Sequence, residues 1–171
     1  MLRTARLTLR PFTLADAGFM LRLLNEPSWL RYIGDRGVHT LAEAERYLEQ
    51  GALASYAQHG FGFEAVVLHE TGETVGMCGL AQREYLDAPD IGFAFLPEHA
   101  GRGLAFEAAS AAMARARGAL GLRRILATTR EDNHASQKLL SKLGLQFERR
   151  IRSADGSREL LLYAWQEGPS P

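Results

Sequence analysis

The chain has 171 residues, 46% apolar and 23% charged, a length and balance that suit one ordinary globular domain and exclude disorder as its main state. Twenty Lys plus Arg offset twenty Asp plus Glu, so no global field recruits nucleic acid or an anionic membrane. No apolar run reaches the ~18 residues of a bilayer span, and the basic start lacks the apolar core of a secretion signal. Cys78 is the only cysteine, which forbids an intramolecular disulfide and fits a reducing compartment. These features predict a soluble, cytoplasmic, single-domain protein over residues 1–171, without nucleic-acid or membrane partners.

Residues 6–10 alternate polar and apolar side chains and stop at Pro11, which predicts a first strand. Thr13 with Asp16 three residues later is a capping-box start, after which Leu14, Ala17, Leu21 and Leu24 share a helical face. Residues 25–39 are punctuated by Pro27, Gly34 and Gly37 and read as irregular. Thr40 caps a second helix through about Gln50, with Leu41, Ala44 and Leu48 inward. Three strands follow, over 61–68, 74–81 and 90–96. A helix over 101–118 carries Leu104, Ala105, Ala108, Ala109, Ala112, Met113 and Ala116 on its apolar face. A strand at 124–129 then leads to a helix at 133–143 that Gly144 closes. Residues 146–151 and 158–165 read as a β-hairpin, and 168–171 as a frayed tail. The fold class is α+β, with element order β-α-α-β-β-β-α-β-α-β-β around a mostly antiparallel central sheet.

The stretch from Asp90 to Glu107 is the richest in chemistry. A strand runs into a loop bearing Gly101 and Gly103, and a helix starts at once. Glycines let the backbone approach a ligand, and the free N–H groups of a helix start favour an anion, most naturally phosphate. Arg102 can add a forked donor. Phe106 stands where a dinucleotide fingerprint needs its third glycine, and no P-loop signature occurs anywhere. The same glycines would also serve a plain tight connection. At the head of the last helix, Asn133 and Ser136 read either as a helix cap or as polar tips reaching a ligand between two helices.

Gly-x-Gly after a strand, followed by Asn-x-x-Ser leading to Lys-Leu-Gly, resembles the GNAT superfamily of acetyl-CoA-dependent N-acetyltransferases. Residues 6–12, 90–93, 97–108 and 133–144 resemble its RimJ/RimL branch, which acetylates protein N-termini and other amines. The likeness spans essentially the whole chain in the same order of elements. Ala100 departs from the aromatic usual in this branch, and Glu98 from the Gln or Arg of the wider superfamily. The resemblance implies a single GNAT-like domain with helices on both sheet faces and acetyl-CoA as co-substrate. By the same resemblance, the backbone of Gly101, Arg102, Gly103, Leu104, Ala105 and Phe106 grips the coenzyme A pyrophosphate. Ala94, Phe95 and Leu96 pair with the pantetheine arm like an added strand, and Asn133 and Ser136 face that arm and the thioester.

The implied reaction is attack of a neutral amine on a thioester, which needs a proton acceptor and a donor near the sulfur. Asp90 fits the acidic position before Ile-Gly-Phe and is the first candidate base, with Glu84 behind it; a plain turn aspartate beside Pro89 is the other reading. Ser136 is the candidate acid or sulfur-side donor. The acceptor is a peptide N-terminus or a small-molecule amine, and the protein a monomer or homodimer. The alternative function is a non-catalytic acyl-CoA-binding or sensing module. Cys78 reads as a core side chain, and the five histidines lack ligand spacing, so no metal site is expected. Trp29, Tyr32 and Ile33 read as packing between helices ahead of lining an acceptor groove.

Overall fold

Period-two alternation places the strands, and their order in space creates the site. A computed structural model describes residues 1–169; Ser170 and Pro171, part of the expected tail, lie outside the described residues. The sheet has eight strands: β1 (Leu2–Arg3), β2 (Leu7–Pro11), β3 (Phe63–Leu68), β4 (Thr74–Ala81), β5 (Asp90–Phe95), β6 (Arg124–Thr129), β7 (Gln146–Arg152) and β8 (Glu159–Gln166). Their order is β1-β2-β3-β4-β5-β6-β8-β7, antiparallel throughout except for β5 beside β6. The α+β expectation holds, with one added two-residue strand at the start.

Among the described residues six α-helices cover the sheet: α1 (Ala17–Leu24), α2 (Pro27–Tyr32), α3 (Leu41–Leu48), α4 (Ala54–His59), α5 (Leu104–Arg117) and α6 (His134–Lys142). One core joins α5 and α6 to the strands through Ala108, Ala112, Leu140, Val66, Ile91 and Ile125. Small alanines let α5 lie close to the sheet. A second core sets α1, α2 and α3 over Ala65, Met77 and Leu96. Across the first interface, Arg115 of α5 pairs through both terminal nitrogens with the buried Glu64 of β3.

The Thr13–Asp16 box forms, and the Thr40 hydroxyl accepts from the Glu43 N–H at 3.1 Å. Four helical expectations need correction. The first turn, Leu14–Asp16, is a tighter 3₁₀ turn that shifts the phase, so α1 buries Ala17, Met20, Leu23 and Leu24 while Leu14 is exposed. The segment read as irregular contains α2, started by Pro27 whose ring presets a helical φ. The second helix does not stop near Gln50: a wider π turn at Glu49–Leu53 absorbs Gly51 and joins α3 to α4, which ends at left-handed Gly60 (φ 76°). Leu41 faces solvent rather than the core.

Candidate active site

The strands β5 and β6 pair in register only at Asp90 and Leu126, where the Leu126 N–H donates to the Pro89 carbonyl at 2.9 Å. Beyond that point β5 stays with β4 and β6 with β8, so a wedge opens between them. The Leu96 N–H donates to the Val75 carbonyl at 2.9 Å. By the alternation of an antiparallel ladder, Asp90, Gly92, Ala94 and Leu96 therefore turn their backbone groups to β4, and Ile91, Phe93 and Phe95 turn theirs to the wedge. Of the three backbones expected to meet a ligand, only that of Phe95 faces the opening. Ala94 and Leu96 are engaged with β4, the Leu96 carbonyl also accepting from His99 N–H, and Phe93 faces the opening beside Phe95. Strand amides left open inside a fold call for a partner.

Because β5 and β6 are parallel, both leave the sheet at the same end of the wedge. The first continues through a 3₁₀ turn, Pro97–His99, to Gly101 (φ 74°) and Gly103 (φ 75°), the residue before α5. The first α5 bond runs from Glu107 N–H to the Gly103 carbonyl at 3.1 Å, so the N–H groups of Leu104, Ala105 and Phe106 have no helical acceptor. Gly101, Arg102 and Gly103 are exposed, and a Cβ built at Gly101 meets nothing within 4 Å. An open, positively polarised helix start results, of the kind that takes a phosphate.

Contacts absent from any local motif hold this loop. Arg6 donates from Nη1 to the Arg102 carbonyl at 2.9 Å and from Nε to Glu107 at 2.7 Å, while Thr4 Oγ1 donates to Glu107 at 2.6 Å. Against the cost of burial, these bonds bring the Glu107 carboxyl below its ordinary range. Arg22 of α1 pairs with Glu98 at 2.6 Å. The Arg102 side chain is directed to Glu70, at 3.4 Å.

Asp90 sits where the wedge begins and is only 3% exposed. Both of its oxygens accept from Arg83 Nε, at 3.0 and 3.2 Å. Burial pushes the Asp90 carboxyl above the ordinary aspartate range, and the guanidinium offsets only part of that. Glu84, the second candidate base, is exposed in the loop before β5. On the far side of the wedge, Asn133 is an N-cap whose side chain accepts from Ser136 N–H at 3.2 Å. Ser136 is half-buried, and its hydroxyl makes no hydrogen bond among the described residues. The cap reading of Asn133 therefore holds, and Ser136 keeps a free hydroxyl.

Over the other sheet face, Arg130 donates to the Arg31 carbonyl at 3.1 Å and Arg158 to the Ile33 carbonyl at 2.8 Å, tying the end of α2 to the β6–β8 half. Trp29 is core, as expected, with an indole N–H that has no partner among the described residues. Cys78 is fully buried, which pushes its thiol up to about 12 and leaves it inert. Among the described residues, no group of three or more His, Cys, Asp or Glu could hold a metal ion, and no helix is long and apolar enough to cross a membrane.

A family model described as an acetyltransferase (GNAT) domain matches residues 6–146. The chain is 33% identical over 153 residues to the uncharacterized N-acetyltransferase YoaA of Bacillus subtilis (strain 168), covering 88% of this chain and 85% of that protein. It superimposes on the crystal structure of an acetyltransferase from Agrobacterium tumefaciens str. C58 with a TM-score of 0.82 at 27% identity, covering 97% of this chain and 94% of that one. RimL, a ribosomal L7/L12 α-N-protein acetyltransferase in complex with coenzyme A, shares the fold with a TM-score of 0.78 at 19% identity, covering 96% of each chain.

Proposed function

The chain belongs to the GNAT acetyltransferase family, and we propose that it moves the acetyl group of acetyl-CoA to a primary amine on a peptide N-terminus or a small molecule. The observation that carries this reading is the wedge beside β5, open to one side and ending at a glycine loop with unclaimed N–H groups. The residues fit the co-substrate. Backbone N–H groups from Gly101 to Phe106 suit its pyrophosphate, and the free amide edges of Phe93 and Phe95 suit the amide-bearing pantetheine arm. Asn133 and Ser136 border that arm from the β6 side. The motif set of the RimJ/RimL branch and the fold shared with a CoA-bound RimL favour that branch.

Acetyl-CoA supplies the acetyl group as a thioester: the amine nitrogen bonds to the acetyl carbon, the carbon–sulfur bond breaks, and coenzyme A departs as its thiol once a proton is returned. Asp90 is the proton acceptor for the amine, directly or through water, and its raised proton affinity suits that task. Ser136, with its unclaimed hydroxyl, is the donor on the sulfur side. An assay of CoA-thiol release over a panel of amines and N-terminal peptides tests the reading. Release that depends on acceptor supports it; tight CoA binding without release on any acceptor would make the protein an acyl-CoA sensor instead.

A further inference from the structure

Resting on the proposed acetyl transfer, we infer that Arg83 anchors a carboxylate carried by the acceptor close to its amine, so that the preferred acceptor is an anionic amine. The geometry of the guanidinium carries this. Asp90 engages Arg83 through Nε alone, and the two terminal nitrogens make no hydrogen bond among the described residues. Three arginines spend their forks on a carboxylate: Arg10 donates from Nη1 and Nη2 to Asp16, Arg115 to Glu64 and Arg124 to Glu148, while Arg6 and Arg123, which also engage theirs through Nε, do so at exposed positions. A fork held in place from behind and open in front matches the two oxygens of a carboxylate.

What the fork faces also fits. Arg83 lines a cleft of about 450 Å³ between β4 and the α3–α4 run, together with Tyr47, Gln50, Gln82, Leu80 and Met77. That volume lies within the roughly 300–1,000 Å³ of small-molecule sites. Its lining offers neutral hydrogen-bonding groups on an apolar wall, and Arg83 brings the charge. Exposed Arg36 adds positive potential: its charge and that of Arg83 both act on the Tyr47 hydroxyl, which burial raises above its ordinary range. The cleft lies one strand from the wedge, since Ala81, on its wall, pairs with Asp90. An acceptor seated here puts its carboxylate on Arg83 and its amine toward Asp90. A polyamine would meet the same guanidinium as a like charge.

Matched acceptors test this in two arms: free α-amino acids against their carboxamides, and peptides with Asp or Glu at the second residue against Asn or Gln. Wild-type kcat/KM should favour the acid by about tenfold or more in one arm, which also tells a free amino acid from a peptide, with spermidine poorest. Replacing one charge-assisted contact costs about 10- to 100-fold. Arg83→Gln also unpairs Asp90 and so lowers turnover on both acceptors, but kcat/KM for the acid should fall further than for the amide by that factor, with CoA affinity unchanged. Arg83→Lys keeps a cation beside Asp90 and so guards against misfolding, yet lacks the fork, and should lose most of the same preference. Calorimetry of the N-acetylated acid and its amide against the CoA-loaded protein should give the same ranking without turnover. Equal wild-type rates on acid and amide, or equal losses on both in Arg83→Lys, overturn the inference and leave acetyl transfer standing. Absence of thiol release on every amine removes both.

Discussion

Two aspartates in this fold are buried beside an arginine, and they differ in how that arginine is used. Asp16, 7% exposed at the corner between β2 and α1, takes both terminal nitrogens of Arg10, at 2.9 and 2.8 Å, plus the Thr13 N–H. Asp90, 3% exposed at the start of β5, takes only Nε of Arg83. The exposure of the two arginine side chains is nearly equal, at 32% and 35%. Burial acts against ionisation at both sites, but the closed fork and the amide bring Asp16 below its ordinary range, whereas Asp90 stays above it. Burial and partner type are thus not what separates the pair at Asp16 from the proposed catalytic pair at Asp90. The difference lies in the terminal nitrogens left over: none at Arg10, two at Arg83.

The largest effect expected from breaking this contrast is on turnover. Asp90→Asn should lower kcat about 100-fold near pH 6, the low end for loss of a general base. Part of that loss should return as pH rises, because more acceptor arrives as free amine. Full activity across pH would pass the role to Glu84 or to water. Arg10→Ala is the opposite experiment. It leaves Asp16 buried and unpaired, at a cost of about 2–3 kcal/mol in urea unfolding, below the full value for a buried pair because Arg10 is a third exposed. Its CoA affinity should remain within about threefold; a large loss would mean that this corner also shapes the cofactor site.

The pH dependence of stability should separate the two aspartates in sign. Asp16 has a lowered folded-state pKa, so its stabilisation is present above ~4 and is lost as pH falls through the folded value. The advantage of wild type over Asp16→Asn should shrink on acidification. Asp90 has a raised folded-state pKa, so its contribution is present below ~4 and is lost as pH rises through the folded value. Asp90→Asn should gain on wild type over that rise, and urea midpoints from pH 3.5 to 8 would read both slopes. Parallel slopes would erase the distinction. Ser136→Ala, outside both pairs, should show the smallest change, about fivefold in kcat with little recovery at high pH; normal turnover would reduce Ser136 to the first turn of α6.

Local chemistry made much of the fold readable. The bounds of β4 and β6 match their expected ranges because turn residues and glycines mark where the apolar runs stop. The glycine loop and the Asn133 cap were equally visible, since each is written within a few consecutive residues. Where glycine or proline served as part of a helix, the reading failed: Pro27 opens α2, and Gly51 sits inside the π turn that continues α3. Pairings across the chain left no signal. Arg6 and Glu107 are 101 residues apart, yet they secure the loop. Arg83 lies seven residues from Asp90 across the β4–β5 connection, and no periodicity announces that a guanidinium will be held by one nitrogen with its fork free. That Phe93 and Phe95 face the wedge while Ala94 and Leu96 face β4 likewise depends on strand register, which composition does not encode.

Calorimetric titration of CoA into wild type and Gly103→Val decides whether the wedge and its glycine loop hold acetyl-CoA. Gly103 has φ 75°, a conformation that a β-branched residue resists, so valine must distort the loop at the helix start. A Cβ there meets only Arg6 Nη2, at 3.6 Å, so the distortion is local and the fold should survive, as circular dichroism can verify. Wild type should bind CoA saturably and one-to-one, and the folded variant at least about 30-fold more weakly. Equal affinity in the two proteins, or no CoA binding by wild type, would mean that the wedge and its loop are not the cofactor site.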